Sequence, residues 1–237
     1  MSSMSSPSTP ERGRPARIDS ARTVDTALRL LDEAGLDALT MRGLADALGV
    51  QAGALYRYFA TKHDLLTAMA ERMLEGAAGP GAAAAPPDSA TAPTATWDSR
   101  VAGLARALRT ALLAHRDGAR VYAGTHSTGP NTLGFSEAVL AVLRDAGFDD
   151  ADATRALLTL VNFTVGHTLE EQATLPEGPA SGADTDAKTE PLRRGVAAAG
   201  LPHLTAALPT LTSTDFSAHF EFGLELLLQG LRTRHRG

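Results

Sequence analysis

Four side chains with nitrogen donors lie within residues 39–62, namely Arg42, Gln51, Arg57 and Lys62. A guanidinium can donate two parallel hydrogen bonds to a guanine edge, and an amide matches the edge of adenine. An ammonium group suits a phosphate. Donors of these types read DNA only when one rigid element holds them together. The segment is therefore a candidate for nucleic-acid recognition, and the neighbouring sequence must supply that element.

The sequence around these donors predicts two short helices joined by a tight turn. Thr40 is a suitable N-cap for the first helix, whose inward positions have helical spacing at Met41, Leu44, Ala45 and Leu48. Gly49 follows, where a left-handed C-terminal cap is usually glycine. Residues 51–59 predict the second helix. Its inward positions are Leu55 and Phe59, and its outward positions are Ala54, Tyr56, Arg57 and Tyr58. A helix of this size fits the major groove of B-DNA, so the pattern predicts a helix-turn-helix.

The composition limits the classes of protein to which the chain can belong. Its 237 residues have a net charge of −5 and contain no cysteine. Contact with nucleic acid therefore needs a local basic surface, and disulfides and thiolate zinc sites are excluded. No apolar run approaches the roughly 20 residues that span a bilayer, and the N-terminus has no apolar signal segment. We expect a cytoplasmic protein without a membrane partner, associated with the nucleoid when it binds DNA.

Shifts in composition and periodicity predict an all-α protein with a small head and a larger body. We expect a disordered basic N-terminal arm over 1–18, a three-helix helix-turn-helix head over 19–76, a flexible linker over 77–96 and a helical body over 97–237. In the head, the first helix spans Ser20–Ala34, and Thr61 and Asp64 predict a capping box for a helix that ends near Gly76. In the body, helices are expected at 97–114, 135–146, 151–172 and 215–234, with a Pro/Gly-rich loop at 173–191.

The other polar residues give weak signals for catalysis or metal binding. His167 and Glu170 have helical i,i+3 spacing, but a metal site needs at least a third ligand, so we expect a surface or interface pair. His115 is expected to cap or pack, and His219 is expected to be an interface residue or a satisfied core residue. We find no nucleophile elbow, phosphate-binding loop or Cys/His pair, so we expect neither an enzyme nor a cofactor.

Longer stretches of the sequence resemble the tetracycline-repressor (TetR) family of regulators. In the head these are LTMRGLADALGV and ALYRYFATKHDLL. In the body they are HRDGARVYAGTHS at 115–127, NFTVGHTLEEQ at 162–172 and FEFGLELLLQGL at 220–231, together with the GF at 147–148. The body segments resemble the tetracycline repressor subgroup, and the resemblance covers residues 20–234. It implies a homodimer that binds double-stranded operator DNA and a small-molecule effector.

The resemblance assigns DNA contacts to individual positions. It implies that Thr40 and Arg42 touch phosphate and base, and that Tyr56 and Lys62 hold the phosphate backbone. Positions that meet base edges correspond to Ala52, Gly53, Ala54 and Arg57. The outward-facing Tyr58 and Gln51, whose amide suits adenine, complete the expected surface. Arg14 lies in RGRPAR, which resembles arms that enter a narrow minor groove, although such a charged segment can equally be a solvated tail.

The resemblance also places the effector site in the body. The expected lining residues are Leu104, Leu108, Tyr122, Thr125, His126, Val139 and Phe163, with Glu170 donated by the partner subunit. In the subgroup, Tyr122 corresponds to a histidine that ligates drug-bound magnesium. Leu104, Leu108 and Val139 stand where Asn, Phe and Gln hold the drug. Because apolar side chains cannot replace those ligands, we expect a hydrophobic or polyketide-like effector rather than tetracycline–magnesium.

Small residues on the last helices predict how two subunits meet. Gly166, Gly223 and Gly230 permit close helix approach, and Phe220 and Leu227 lie on the same helices, so we expect a four-helix bundle at the dimer interface. The alternative is that these faces are buried within one subunit. A two-fold dimer would read a palindromic operator. The expected mechanism is ligand-released repression, in which the 117–127 segment presses on the fourth helix. An activator, or a drug-sequestering protein that no longer binds DNA, are the alternatives.

Overall fold

A computed structural model describes residues 19–78, 96–174 and 182–235. This described part forms eleven helices without a strand, which confirms the all-α prediction. The helices are α1 Ser20–Ala34, α2 Met41–Leu48, α3 Ala52–Leu55, α4 Lys62–Met73, α5 Trp97–Leu113, α6 Gly118–Ala123, α7 Pro130–Asp145, α8 Asp150–Thr174, α9 Gly182–Ala199, α10 Pro202–Leu211 and α11 Phe216–His235. The predicted arm and most of the predicted linker lie outside the described residues. No helix in the described ranges combines the length and apolarity needed to cross a membrane.

The head consists of α1 to α4 around one apolar core. Each helix contributes fully buried side chains, for example Leu31, Leu44, Leu55 and Leu65. The predicted capping box is present, because the Thr61 backbone N–H donates to Asp64 and the Asp64 N–H donates to the Thr61 hydroxyl. These local signals fix where α4 begins, shortly after the second predicted helix at 51–59.

The predicted helix at 51–59 is shorter than expected. Regular helix ends at Leu55, and the chain continues as a turn through Tyr58. The Tyr58 N–H bonds the Leu55 carbonyl three residues back, and Phe59 bonds the same carbonyl. One carbonyl therefore accepts both bonds, which tightens the turn and brings Phe59 back into the core beside Leu55.

The body packs α5 to α8 and α11 around a second core. Its fully buried residues include Leu104, Leu108, Leu112, Phe135 and Leu143. The predicted helix at 135–146 starts earlier, at Pro130, because proline suits the first turn of a helix. The Asp149 carboxylate accepts a hydrogen bond from the Asp152 N–H and so caps α8.

The predicted loop at 173–191 was wrong from residue 182 onward, where α9 begins, and α6 and α10 were not predicted. The Pro/Gly content suggested a loop, but the later part of α9 is rich in good helix formers such as Leu192 and three consecutive alanines. Gly200, with φ +60, then ends the helix. The prolines of α9 and α10 do not prevent helix formation, since Pro191 lies inside α9, Pro202 opens α10 and Pro209 lies inside α10.

Polar contacts fasten α6 between head and body. Gln172 of α8 donates to the carbonyls of Leu112 and His115 at 3.1 and 2.8 Å and accepts from the Ala119 N–H at 2.9 Å. On the other side, Asp117 accepts from the Leu36 N–H of the head at 2.8 Å. The residues just before α6 are therefore held from both directions, which positions α6 against α4 and α8.

Candidate nucleic-acid interface and effector site

The turn between α2 and α3 has the geometry that the sequence predicted. Thr40 caps α2 by accepting a hydrogen bond from the Gly43 N–H at 3.0 Å. Gly49 adopts a left-handed conformation with φ +67, and the Val50 N–H bonds the Ala45 carbonyl at 3.0 Å. The hydrogen bond from Val50 to Ala45 spans six residues, which is typical of a helix end capped by glycine. It fixes the angle at which the chain enters α3.

Burial of Leu55 and Phe59 turns the opposite side of this segment toward solvent. Tyr56, Arg57 and Tyr58 are all exposed, and so is Arg42 at the start of α2. Among the described residues, neither Arg42 nor Arg57 has a hydrogen-bond or ion-pair partner. Both guanidinium groups therefore keep their full donor capacity for another molecule, as recognition of guanine or phosphate requires.

The remaining candidates for DNA contact are less free. The Lys62 side chain is half-buried, and its Nζ donates to the Leu36 carbonyl at 3.4 Å. Gly53 is exposed, with open space where a Cβ would stand, whereas Ala52 and Ala54 are half-buried. Gln51 is exposed and makes no capping bond, so its amide is available. The predicted minor-groove residue, Arg14, lies outside the described residues.

Five of the eight predicted effector contacts meet in the body core. Leu104, Leu108 and Val139 are fully buried, and Phe163 and Tyr122 pack against the same cluster. Tyr122 also contacts the head core, so it lies at the boundary of the two. Burial and the nearby negative charge of Glu71 raise the pKa of Tyr122 and keep its phenol protonated.

The three polar candidates occupy different environments. Thr125 is buried, and its hydroxyl donates to the Tyr122 carbonyl at 3.0 Å. His126 and Glu170 are exposed. None of the eight predicted contacts lines the groove of about 790 Å³ that the structure forms between α8 and α11.

Polar groups beside Phe163 were not predicted as a unit. Arg109 of α5 donates two hydrogen bonds to Glu171 of α8, at 3.0 and 2.7 Å, and both side chains are nearly buried. His167 lies against Phe163 and Phe220, with ring centroids 6.0 and 5.3 Å away. Its nearest acidic partner is Glu171 at 3.9 Å, not the Glu170 considered from the sequence.

Two buried polar atoms in this region have no hydrogen-bond partner among the described residues, the Thr164 hydroxyl oxygen and His167 Nδ1. Burial lowers the pKa of His167, and the positive charge of Arg109 acts in the same direction, while Glu171 opposes both. The imidazole is therefore neutral at pH 7. The i,i+3 spacing of Thr164 and His167 on α8 could have suggested that these two residues share a face. In the described ranges, no three acidic or histidine side chains converge as a metal site would need.

The predicted dimer residues divide between the core and the surface. Phe220 is fully buried and stacks on Phe163, which corrects the expectation that it faces a partner. Gly223 packs against Phe163 of its own subunit, because a Cβ there would overlap that ring. Gly166 is exposed, and Leu227 and Gly230 line the groove between α8 and α11.

Comparisons with known proteins agree with this architecture. The family model described as "Bacterial regulatory proteins, tetR family" matches residues 24–69. The model "Tetracyclin repressor-like, C-terminal domain" matches residues 90–235. The tetracycline repressor protein class A from transposon 1721 of Escherichia coli is 40% identical over 214 residues, covering 89% of each chain.

Solved structures extend the similarity to the whole fold. A "possible TetR family transcriptional regulator" from Streptomyces coelicolor A3(2) is 63% identical, with a TM-score of 0.78 over 91% of this chain and 99% of that one. ActR from Streptomyces coelicolor in complex with actinorhodin is 30% identical, with a TM-score of 0.76 over 93% and 99%. The exposed helix-turn-helix donors and the helical body are thus those of a family of ligand-responsive regulators. The chain belongs to the TetR family of DNA-binding transcriptional regulators.

Proposed function

We propose that the protein is a homodimeric repressor in the bacterial cytoplasm that leaves a palindromic operator when a hydrophobic, polyketide-like effector binds its body. The main support is the recognition segment. Its buried anchors Leu55 and Phe59 fix the backbone, while Arg42 and Arg57 keep unpaired guanidinium groups on the exposed side. A pair of such arginines on each subunit gives the local basic surface that an acidic protein needs to bind DNA.

The composition of the body core supports an apolar effector. Leu104, Leu108 and Val139 carry no polar atoms with which to hold tetracycline or its magnesium ion. The unpaired polar atoms of Thr164 and His167 lie on α8 beside Phe163 and supply the few polar anchors that such a site uses. The ActR structure with actinorhodin, a relative at 30% identity, supports the same class of effector.

The outer faces of α8 and α11 support a dimer of the expected kind. Leu226 is 54% exposed and Phe222 is 70% exposed, and both lie on α11 near the groove that contains Leu227 and Gly230. A contiguous exposed apolar surface of this type marks an association site. Pairing α8 and α11 with the same helices of a second subunit would cover it and complete a four-helix bundle.

The DNA-binding proposal is tested with Arg57→Ala on a duplex selected in vitro from random sequence by the wild-type protein. Each half-site should lose the equivalent of about 1–3 kcal/mol and discriminate less at one base pair. Arg29→Ala is the control, because Arg29 is exposed on α1 and already pairs with Glu33. Fluorescence anisotropy measures the affinities. Equal affinity for Arg57→Ala and wild type would contradict the assignment of this surface.

The same duplex tests the class of effector. Titration with actinorhodin should release the wild-type protein, whereas tetracycline with magnesium should not. Release by tetracycline–magnesium alone would contradict the argument from Leu104, Leu108 and Val139.

A further inference from the structure

The carboxylate of Glu71, on α4 of the head, is bound entirely by one short segment of the body. It accepts hydrogen bonds from the Ser127 hydroxyl at 2.6 Å and from the N–H groups of Asn131 and Thr132 at 2.9 and 3.1 Å. The Thr132 hydroxyl donates to it as well. In addition, the Asn131 side-chain amide donates to the Glu71 main-chain carbonyl at 2.8 Å. One acidic residue thus joins α4 to the start of α7.

This contact completes the N-terminus of α7 from outside the helix. Asn131 and Thr132 lie in the first turn of α7, where backbone N–H groups have no partner within the helix. Pro130 has no N–H to satisfy, and Gly129 at the N-cap position has no side chain that could cap. The negative charge of Glu71 is also favourable beside the positive end of the helix dipole. Glu71 therefore serves as the cap of α7, although it is about 60 residues away in sequence.

The segment contains a space shaped for this carboxylate. A Cβ built on Gly129 would overlap the carboxylate carbon of Glu71. The backbone at Gly129, with φ −76 and ψ 169, is one that any residue adopts. Glycine at this position is therefore explained by the room that Glu71 needs, not by the backbone conformation.

The position of this contact connects the two halves of the proposed mechanism. On the head side, α4 begins shortly after α3 and the turn through Tyr58, which carry the proposed DNA contacts. On the body side, the proposed effector contacts Thr125 and His126 precede Ser127 by one or two residues. Tyr122 belongs to both apolar cores and lies near enough to feel the charge of Glu71. An effector that moves residues 122–129 must therefore either move α4 or break the bonds to Glu71.

We propose that Glu71 is the positioning residue that couples the effector segment to the DNA-binding head, an inference that rests on effector-released DNA binding. Bonds to a carboxylate are strong and depend steeply on distance and angle. They hold α4 and the start of α7 as one unit, so displacement of the 122–129 segment is passed to the recognition elements. Without them the same displacement is absorbed at the interface between α4 and α7.

Two substitutions remove this contact from opposite sides. Glu71→Gln removes the charge and places an amide donor against donors, and Gly129→Ala forces the carboxylate out of its space. Each has a matched control. Glu75→Gln removes an exposed carboxylate just beyond α4, where it pairs with Arg72, and Gly134→Ala adds a methyl group on α7 where nothing lies within 4 Å.

The first measurement is the ratio of operator dissociation constants with and without actinorhodin. Allosteric coupling typically corresponds to about 5–150-fold, and both Glu71→Gln and Gly129→Ala should lower the wild-type ratio to about threefold or less. The two controls should keep the wild-type ratio. Retention of the wild-type ratio by Glu71→Gln and Gly129→Ala would overturn the proposal. Ser127→Ala removes one of the bonds to Glu71, together with the bond that the Ser127 hydroxyl accepts from the Gly129 N–H at 3.1 Å. It should give an intermediate ratio and guards against loss by misfolding.

The second measurement needs no effector. Hydrogen exchange at the Asn131 and Thr132 amides should change by about fivefold or more when the wild-type protein binds the selected duplex, the lower end of typical coupling. Gly129→Ala should abolish this response while its operator binding is retained. A wild-type protein without the response, or a variant that keeps it, would overturn the role of Glu71. If actinorhodin fails to release wild type, the proposed effector class fails, whereas this second measurement still decides the role of Glu71.

Discussion

The ion pair between Arg109 and Glu171 offers a direct test of how the body core is held together. It joins α5 to α8 through two hydrogen bonds, and the side chains are only 15% and 12% exposed. The guanidinium carbon of Arg109 also lies 5.1 Å from the centre of the Phe220 ring. Removing either partner therefore leaves the other charge in an apolar environment with little access to water.

The expected cost follows from this burial. Loss of one partner of a fully buried pair costs about 3–5 kcal/mol. Because each side chain here retains some contact with water, we expect Arg109→Met and Glu171→Met each to lower the free energy of unfolding by about 2–4 kcal/mol. The double variant should lie within about 1 kcal/mol of wild type, since two methionines fill the space without burying a charge. Urea unfolding at one fixed protein concentration gives these values, because a dimer's stability depends on concentration.

A neighbouring pair provides the control. Arg106 and Glu221 also form two short hydrogen bonds, at 2.7 and 2.6 Å, but their side chains are 41% and 47% exposed. Arg106→Met should cost less than about 1 kcal/mol, as exposed pairs do. The reasoning would be refuted if Arg109→Met and Glu171→Met each lowered the free energy of unfolding by no more than this control does. It would also be refuted if the double variant lowered it by the sum of the two single effects.

Two further predictions concern assembly and pH. Leu226→Arg should shift the protein from dimer to monomer in analytical ultracentrifugation. Leu133 on α7 is equally exposed, and Leu133→Arg should leave the protein dimeric. A Leu226→Arg variant that stays dimeric would contradict the α8–α11 interface. Burial alone would raise the pKa of Glu71, but the hydrogen bonds from residues 127–132 outweigh it and lower the pKa below its ordinary value of 4.5. The resulting stabilisation is present above that value and is lost as the pH falls below it through the lowered pKa. The difference in free energy of unfolding between wild type and Glu71→Gln should therefore shrink as the pH is lowered. A difference that grows would contradict the lowered pKa of Glu71.

The parts of the head that depend on near neighbours in sequence could be predicted. The caps at Thr40 and Thr61, the left-handed glycine at Gly49 and the burial of Leu55 and Phe59 all match the structure. Each depends on contacts within a few residues along the chain, where side-chain type and spacing are sufficient. The length of α3 was overestimated because helical spacing alone does not show where a helix tightens into a turn.

Long-range polar contacts could not be predicted in the same way. Arg109 and Glu171 are 62 residues apart in sequence, and Glu71 and Asn131 are 60 apart, so no local pattern relates them. The pairing of His167 with Glu171 rather than Glu170 depends on which side of α8 faces α5. In the same way, α9 was missed because a high content of proline and glycine describes a segment's composition and not its packing.

The long helix α8 takes part in two interfaces of this protein. With 25 residues, α8 is about 37 Å long at the rise of an α-helix. Asp152 and Thr159 near its start line the groove expected to receive a second subunit, and Gln172 near its end grips the residues around α6. Phe163 and His167 lie between these ends. Because one helix carries both surfaces, we expect a substitution on α8 that alters the proposed effector contacts of Phe163 or His167 to change the strength of the dimer as well.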